Sequence, residues 1–225
     1  MEFIKEKKNI IFLLLGLLLL VGFRFYFFDF AKEKILPADS IVVVDSEGNE
    51  YKAVEIGQQI WLAENLKSSS HSSGESWCYD EKSENCENYG RLYNWEAAMV
   101  ACPDGWGLPS DEDWQELERS IEDSENVAKV LKSKDLWSPR KDRDGKLEIE
   151  VGEFVGVDSV GFNGLPGGHY FEGFFYDLNS GGYWWSSTQS SDKVALSRVL
   201  DYNSTEFQNN LFDIEHGFSV RCIKK

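Results

Sequence analysis

Tyr183-Trp184-Trp185-Ser186-Ser187-Thr188, followed closely by Val194-Ala195-Leu196-Ser197-Arg198-Val199-Leu200, sets large aromatic and β-branched side chains between Gly, Asn and Ser breaks. Such residues fit a pleated, half-buried surface, so both runs predict strands, and Phe218 to Ile223 repeats the pattern near the carboxyl end. Upstream the pattern changes. Ser110-Asp111-Glu112-Asp113 offers an N-cap and an acidic first turn, and Trp114, Leu117 and Ile121 recur at helical spacing; Asn94 to Ala101 is a second short helical stretch. Further upstream, Ile41-Val42-Val43-Val44 and Tyr51-Lys52-Ala53-Val54-Glu55-Ile56 flank Asp45-Ser46-Glu47-Gly48-Asn49, a hairpin signal, and Gln59 to Leu66 follows. Ser68 to Ser76 is too polar for a core and reads as a surface loop. Helices in the middle with strands at both ends predict an α+β domain, with two short helices and a mostly antiparallel sheet that both ends of the body share.

The 225 residues, 28% charged and 42% hydrophobic, suit one such domain with an appendage. The formal charge of −16 is uneven: residues 1–34 hold six basic and four acidic side chains, which leaves a net −18 beyond them. Phosphate binding draws on clustered Lys and Arg. So acidic a body argues against nucleic acid and against docking on an anionic bilayer surface.

The appendage is amino-terminal. Lys5, Lys7 and Lys8 close a basic segment, residues 1–9, and precede an apolar run from Ile10 to Phe23 with seven Leu. That is the arrangement of an export signal or a signal anchor. Fourteen residues reach only about 21 Å of a hydrocarbon core of about 30 Å, but continuing through Phe30 reaches about 32 Å. Arg24 can snorkel, and Phe25, Tyr26, Phe27 and Phe28 can form an interfacial belt. The reading is a transmembrane anchor over residues 10–30, then a linker over 31–40 and the body over 41–225. A cleaved signal is the alternative, but Val21-Gly22-Phe23-Arg24 is a poor cut site.

Four Cys, at 78, 86, 102 and 222, all follow this segment, and their even number suits an exported disulfide framework. Three pairings are open. Cys78 and Cys86 enclose a short polar loop, whereas a bond from Cys102 to Cys222 ties mid-body to carboxyl end; loop entropy makes the latter the stronger staple, about 5 against about 2–3 kcal/mol. No C-x-x-C pair exists and no His stands next to a Cys, so a zinc site is not expected.

Several blocks in order resemble a known family. They are Asp45 to Tyr51, Ile56-Gly57-Gln58-Gln59-Ile60-Trp61-Leu62-Ala63-Glu64-Asn65-Leu66, and Tyr89-Gly90-Arg91-Leu92-Tyr93-Asn94-Trp95. Cys102-Pro103-Asp104-Gly105-Trp106-Gly107-Leu108-Pro109-Ser110 with Trp114, Gly161 to Gly168, Trp184 to Thr188 and Ser219-Val220-Arg221-Cys222 complete the set. From about residue 43 to 224 the chain resembles the Fibrobacter succinogenes major paralogous domain. The resemblance implies a bacterial surface or envelope domain with a C-type lectin-like fold, paired ends and a Cys102–Cys222 disulfide. It implies no activity. Residues 139–158 are longer and more charged than the family pattern between its neighbouring blocks.

A catalytic constellation is thin. His169 follows Gly167-Gly168 and His216 precedes Gly217, but no G-x-S-x-G marks a nucleophile. Leu108 to Trp114 distantly resembles the formylglycine-generating oxidases, which use a reactive Cys pair near the carboxyl end, where this chain has only Cys222. Asp142-Arg143-Asp144-Gly145 opens like a calcium loop but lacks the remaining ligand spacing, and no Glu-Pro-Asn or Gln-Pro-Asp tripeptide is present. No cofactor is expected, calcium being the ion that such loops admit.

Most Trp residues are expected in the core. The contact surface is expected in the irregular region from His169 to Ser191, where His169-Tyr170-Phe171-Glu172-Gly173-Phe174-Phe175-Tyr176 packs five aromatics into eight residues and alternation buries some rings and exposes others; His169, Tyr170, Phe171, Phe174 and Tyr176 are the candidate ligand contacts. The function expected is a membrane-anchored, exported, non-catalytic binding module for a glycan or an envelope protein, its body periplasmic or extracellular. An enzyme and a purely structural surface domain are the competing readings.

Overall fold

The computed structural model describes residues 41–69, 72–121, 126–139 and 156–225. The anchor and linker expected over 10–40 and the calcium-loop-like opening at Asp142–Gly145 lie outside the described residues. Among the described residues no helix is long and apolar enough to cross a membrane.

The body is α+β, as its segregated helical and strand runs predict. β1 (Ile41–Val44) and β2 (Glu50–Ile56) pair antiparallel, and Asp45 closes their turn. Its Oδ1 accepts from the Glu47 and Asn49 amides at 2.9 Å, and its Oδ2 accepts from Tyr51 Oη at 2.7 Å. Burial alone would raise this carboxyl, but hydrogen bonds from Asn49, Tyr51 and the amides hold it below the usual value. β3 (Gln59–Leu62) extends the sheet, and the chain's last strand, β13 (Ile223–Lys224), lies between β3 and β6 (Trp106–Gly107). The two ends of the body therefore share a sheet, with Ile223 opposite Trp61.

A second sheet holds β9 (Gly181–Ser191), β10 (Val194–Asp201) and β11 (Gln208–Asp213) on one side. β12 (Phe218–Ser219), β5 (Leu92–Tyr93) and β4 (Ser76–Trp77) continue it on the other. The expected single, mostly antiparallel sheet is thus two sheets, and β9 carries parallel contacts to β12 and to β7 (Gly167–Phe171). Successive strand residues point to opposite faces, so Trp184 and Trp185 enter different cores. Trp184 joins Trp61, Trp114, Leu117 and Phe162. Trp185 joins Tyr93, Phe218, Val220 and Cys222.

The structure adds to the two short helices expected. α2 (Trp95–Ala98) and α3 (Asp111–Arg119) are those two, while α1 (Ser83–Tyr89) and α4 (Val127–Leu131) are further helices among the described residues. α1 has no apolar repeat to betray it. It is held by a disulfide from Cys78 to Cys86 and by a 3-10 turn at Tyr79–Glu81, where the sequence reads only as a polar loop. α3 starts with a reciprocal capping box between Ser110 and Asp113 and buries Trp114 and Leu117. Arg198 of β10, itself almost wholly buried, reaches Asp111 and Glu118 on α3 at 2.7 Å each. Cys102 bonds to Cys222 across 120 residues, so the pairing is local for one bridge and end-to-middle for the other.

Candidate functional site

β7 and β8 (Phe174–Leu178) form the hairpin on which all five candidate contact residues stand. Its tip, Glu172-Gly173, has positive φ at both residues, 49° and 87°, the geometry that two-residue hairpin turns require and that glycine takes without strain. Register places Tyr170 opposite Phe175, His169 opposite Tyr176 and Phe171 opposite Phe174. One face therefore carries Tyr170 and Phe175, the other His169, Phe171, Phe174 and Tyr176.

The first face is an anchor. Tyr170 stacks on Trp77 at 4.1 Å and Phe175 meets Tyr79 at 5.1 Å. Backbone bonds run both ways between Tyr170 and Gly217, and a Cβ on Gly217 would come within 2.9 Å of Trp77 and Tyr170, so only glycine permits this approach. Trp77 and Tyr79 were not anticipated, because they flank a Cys in polar sequence with no strand pattern around them.

The second face is graded. Phe171 lies flat on His216 with ring centres 3.9 Å apart, and His169 stacks on Tyr176 at 5.1 Å. Phe174 and Tyr176 form the outer edge, 64% and 43% exposed. Burial pushes the His216 ring below its ordinary pKa, against the pull of the Asp213 carbonyl and carboxylate and of Glu172, which leaves it neutral near pH 7. Its Nδ1 lies 3.1 Å from the Asp213 carbonyl oxygen, and His169 Nδ1 lies 3.8 Å from Asp177 Oδ2. Asp177 also accepts from Tyr183 Oη at 2.7 Å. Beside the tip a hollow of about 300 Å³ is bordered by Glu75, Glu172, Asp213 and Glu215, with Trp77 and Tyr170 as walls. The hollow is thus rimmed by carboxylates beside two rings that stack on each other, while the exposed pair Phe174 and Tyr176 stands outside its lining, with ring centres 6.5 Å apart and planes 52° apart.

A second hollow, about 620 Å³, lies away from the hairpin between Lys52, Glu64, Lys67, Glu87 and Asp158, with Asn65 and Asn163 at its wall. Behind it stands Arg221, wholly buried. Its Nη2 donates to Asn65 Oδ1 at 2.7 Å and to the Asn163 carbonyl, and its Nη1 donates to the Leu62 and Phe162 carbonyls. Trp184 Nε1 donates to the same Asn65 oxygen at 2.8 Å, and Asn65 Nδ2 donates to the Tyr89 carbonyl. The blocks around Asn65, Asn163, Trp184 and Arg221 thus meet at one point. Their shared polar residues were the only sign of it, since 156 residues separate Asn65 from Arg221.

Among the described residues no group of three or more His, Cys, Asp or Glu is placed to hold a metal ion. Residues 54–224 match the family model described as the Fibrobacter succinogenes major domain. No curated protein and no solved structure matches the chain.

Proposed function

Because the chain belongs to the Fibrobacter succinogenes major domain family, we propose that it is a membrane-anchored, exported binding module of the bacterial envelope that acts without catalysis. In this reading the α+β body is a variant of the C-type lectin-like fold, and the ligand is a glycan presented at the cell surface. The observation that carries it is the outer edge of the β7–β8 hairpin. Phe174 and Tyr176 face solvent while the strands beneath them are clamped to Trp77, Tyr79 and Gly217. Exposed rings on a fixed support offer stacking area at little entropic cost, and the neighbouring carboxylates accept hydrogen bonds from sugar hydroxyls. The amino-terminal basic and apolar segments and the disulfides support the envelope location.

The test is a glycan array probed with the native chain and with a Phe174→Ala/Tyr176→Ala double variant. The expected result is binding by the native chain that the double variant loses while keeping its thermal midpoint. Capture of an envelope protein with no glycan bound would move the reading to a protein partner, and turnover of a substrate panel with no binding would replace it with an enzyme.

A further inference from the structure

The two disulfides differ in what stands beside their sulfurs. Arg91 directs Nη1 at both sulfurs of the shorter bridge, 3.5 Å from Cys78 Sγ and 3.6 Å from Cys86 Sγ. It is fixed there by other bonds: Nε donates to Ser76 Oγ at 3.0 Å and Nη2 to the Ser76 carbonyl at 3.1 Å. Among the described residues Arg91 makes no ion pair. The acidic side chains of the same loop, Asp80, Glu81, Glu84 and Glu87, are all exposed and screened by water, whereas the guanidinium is half-buried and in contact. A neutral disulfide offers such a cation little. A thiolate in the same place would give it a full opposite charge.

We propose that Cys78–Cys86 is a thiol–disulfide exchange site that accepts dithiols. Cys78 is the more exposed partner and Cys86 is buried in α1, so attack falls on Cys78 Sγ. The incoming thiolate bonds to Cys78 Sγ, the Cys78–Cys86 bond breaks, and its electron pair leaves on Cys86 Sγ, where Arg91 stabilises the thiolate. The reagent's second thiol, having lost its proton, then attacks the reagent sulfur of the mixed disulfide, and the pair of that bond passes to Cys78 Sγ, which takes a proton. The dithiol ends as its disulfide. The protein ends as a Cys78 thiol beside a Cys86 thiolate, with the second proton released to solvent. The Cys102–Cys222 bridge, whose Cys222 is wholly buried in the core, serves as the internal reference.

The native chain is incubated with dithiothreitol at pH 7, quenched with acid at intervals, alkylated and mapped by peptide mass. Cys78 and Cys86 are expected to open at least about tenfold faster than Cys102 and Cys222. Arg91→Met should slow that opening about threefold to tenfold, with Arg91→Lys restoring most of it. Equal opening of both bridges, or an unchanged rate in Arg91→Met, would overturn the proposal. Should Arg91→Met fail to fold, the Cys78→Ser chain decides through the thiolate ultraviolet absorbance of Cys86. A midpoint below the ordinary value of about 8.5 supports the site, and one at or above it sinks the idea.

Discussion

Around Arg221 each polar group is met by another from a distant part of the chain, whereas at the tip of the β7–β8 hairpin Phe174 and Tyr176 stay exposed to water, Tyr176 resting with one face on His169. The buried cluster joins Leu62, Asn65, Phe162 and Asn163 to one guanidinium and stacks that guanidinium on Phe162 at 4.4 Å. The hairpin instead uses one face for attachment and leaves the edge of the other free. The difference separates two kinds of constraint. Groups at the Arg221 cluster must stay as they are for the body to fold, while Phe174 and Tyr176 can change with little cost to the fold.

That contrast can be broken, starting with the interior. Replacing Cys102 and Cys222 together by Ala reopens a loop of 120 residues and is expected to cost up to about 5 kcal/mol, read from the urea midpoint. Arg221→Met takes the donor from the buried Leu62, Phe162 and Asn163 carbonyls and leaves Asn65 Oδ1 to Trp184 Nε1, an expected loss of about 3–5 kcal/mol by the same measurement. A value under about 1 kcal/mol would show that the cluster does not hold the body together.

The interior also has a pH signature. Burial pushes the Lys132 ammonium down to about 8, against the pull of Asp201. Between that value and the ordinary lysine value of 10.5 the unfolded chain binds more protons than the folded one, so stability rises with pH across this window. Burial raises the hydroxyl of Tyr93, and burial with the bond to Asp45 raises that of Tyr51, so the folded state keeps protons that the unfolded state loses above about pH 10, and the trend reverses there. The urea midpoint of the native chain should climb between pH 8 and about 9.5, and that of Lys132→Met should stay level.

Smaller effects sharpen the other side of the comparison. Ser110→Ala removes the cap of α3 and is expected to cost about 1 kcal/mol. Phe174→Ala should change stability by less than about 0.5 kcal/mol while abolishing the glycan binding proposed for the hairpin edge. A loss of more than about 2 kcal/mol would mean that the ring is part of the packing and would remove the hairpin edge as a contact surface.

What the sequence disclosed follows the same division. The Trp184-Trp185 pair and the β1–β2 hairpin were legible because period-2 patterning and turn residues act locally. Residues 169–191 read as irregular because Gly and Asn interrupt their aromatics, whereas the structure makes regular strands of them, and only register sorts the attaching rings of the hairpin from its outer ones. α1 was hidden because a covalent bridge, not an apolar stripe, holds it. The Arg221 cluster was hidden because its partners lie 58 to 159 residues away, and spacing along a chain carries no signal at that range.

The place of β13 has a consequence for how the molecule is made. A strand formed by residues 223–224 sits inside the five-stranded sheet, with β3 and β6 on either side, and Arg221 and Cys222 precede it directly. During synthesis, the segments holding Leu62, Asn65 and Phe162 emerge long before the residue that joins them. Until then the early strands lack their neighbour and Cys102 lacks its partner. The nascent body therefore passes a long interval with an open sheet edge and a free thiol, a period in which a folding catalyst or a holding chaperone has something to act on.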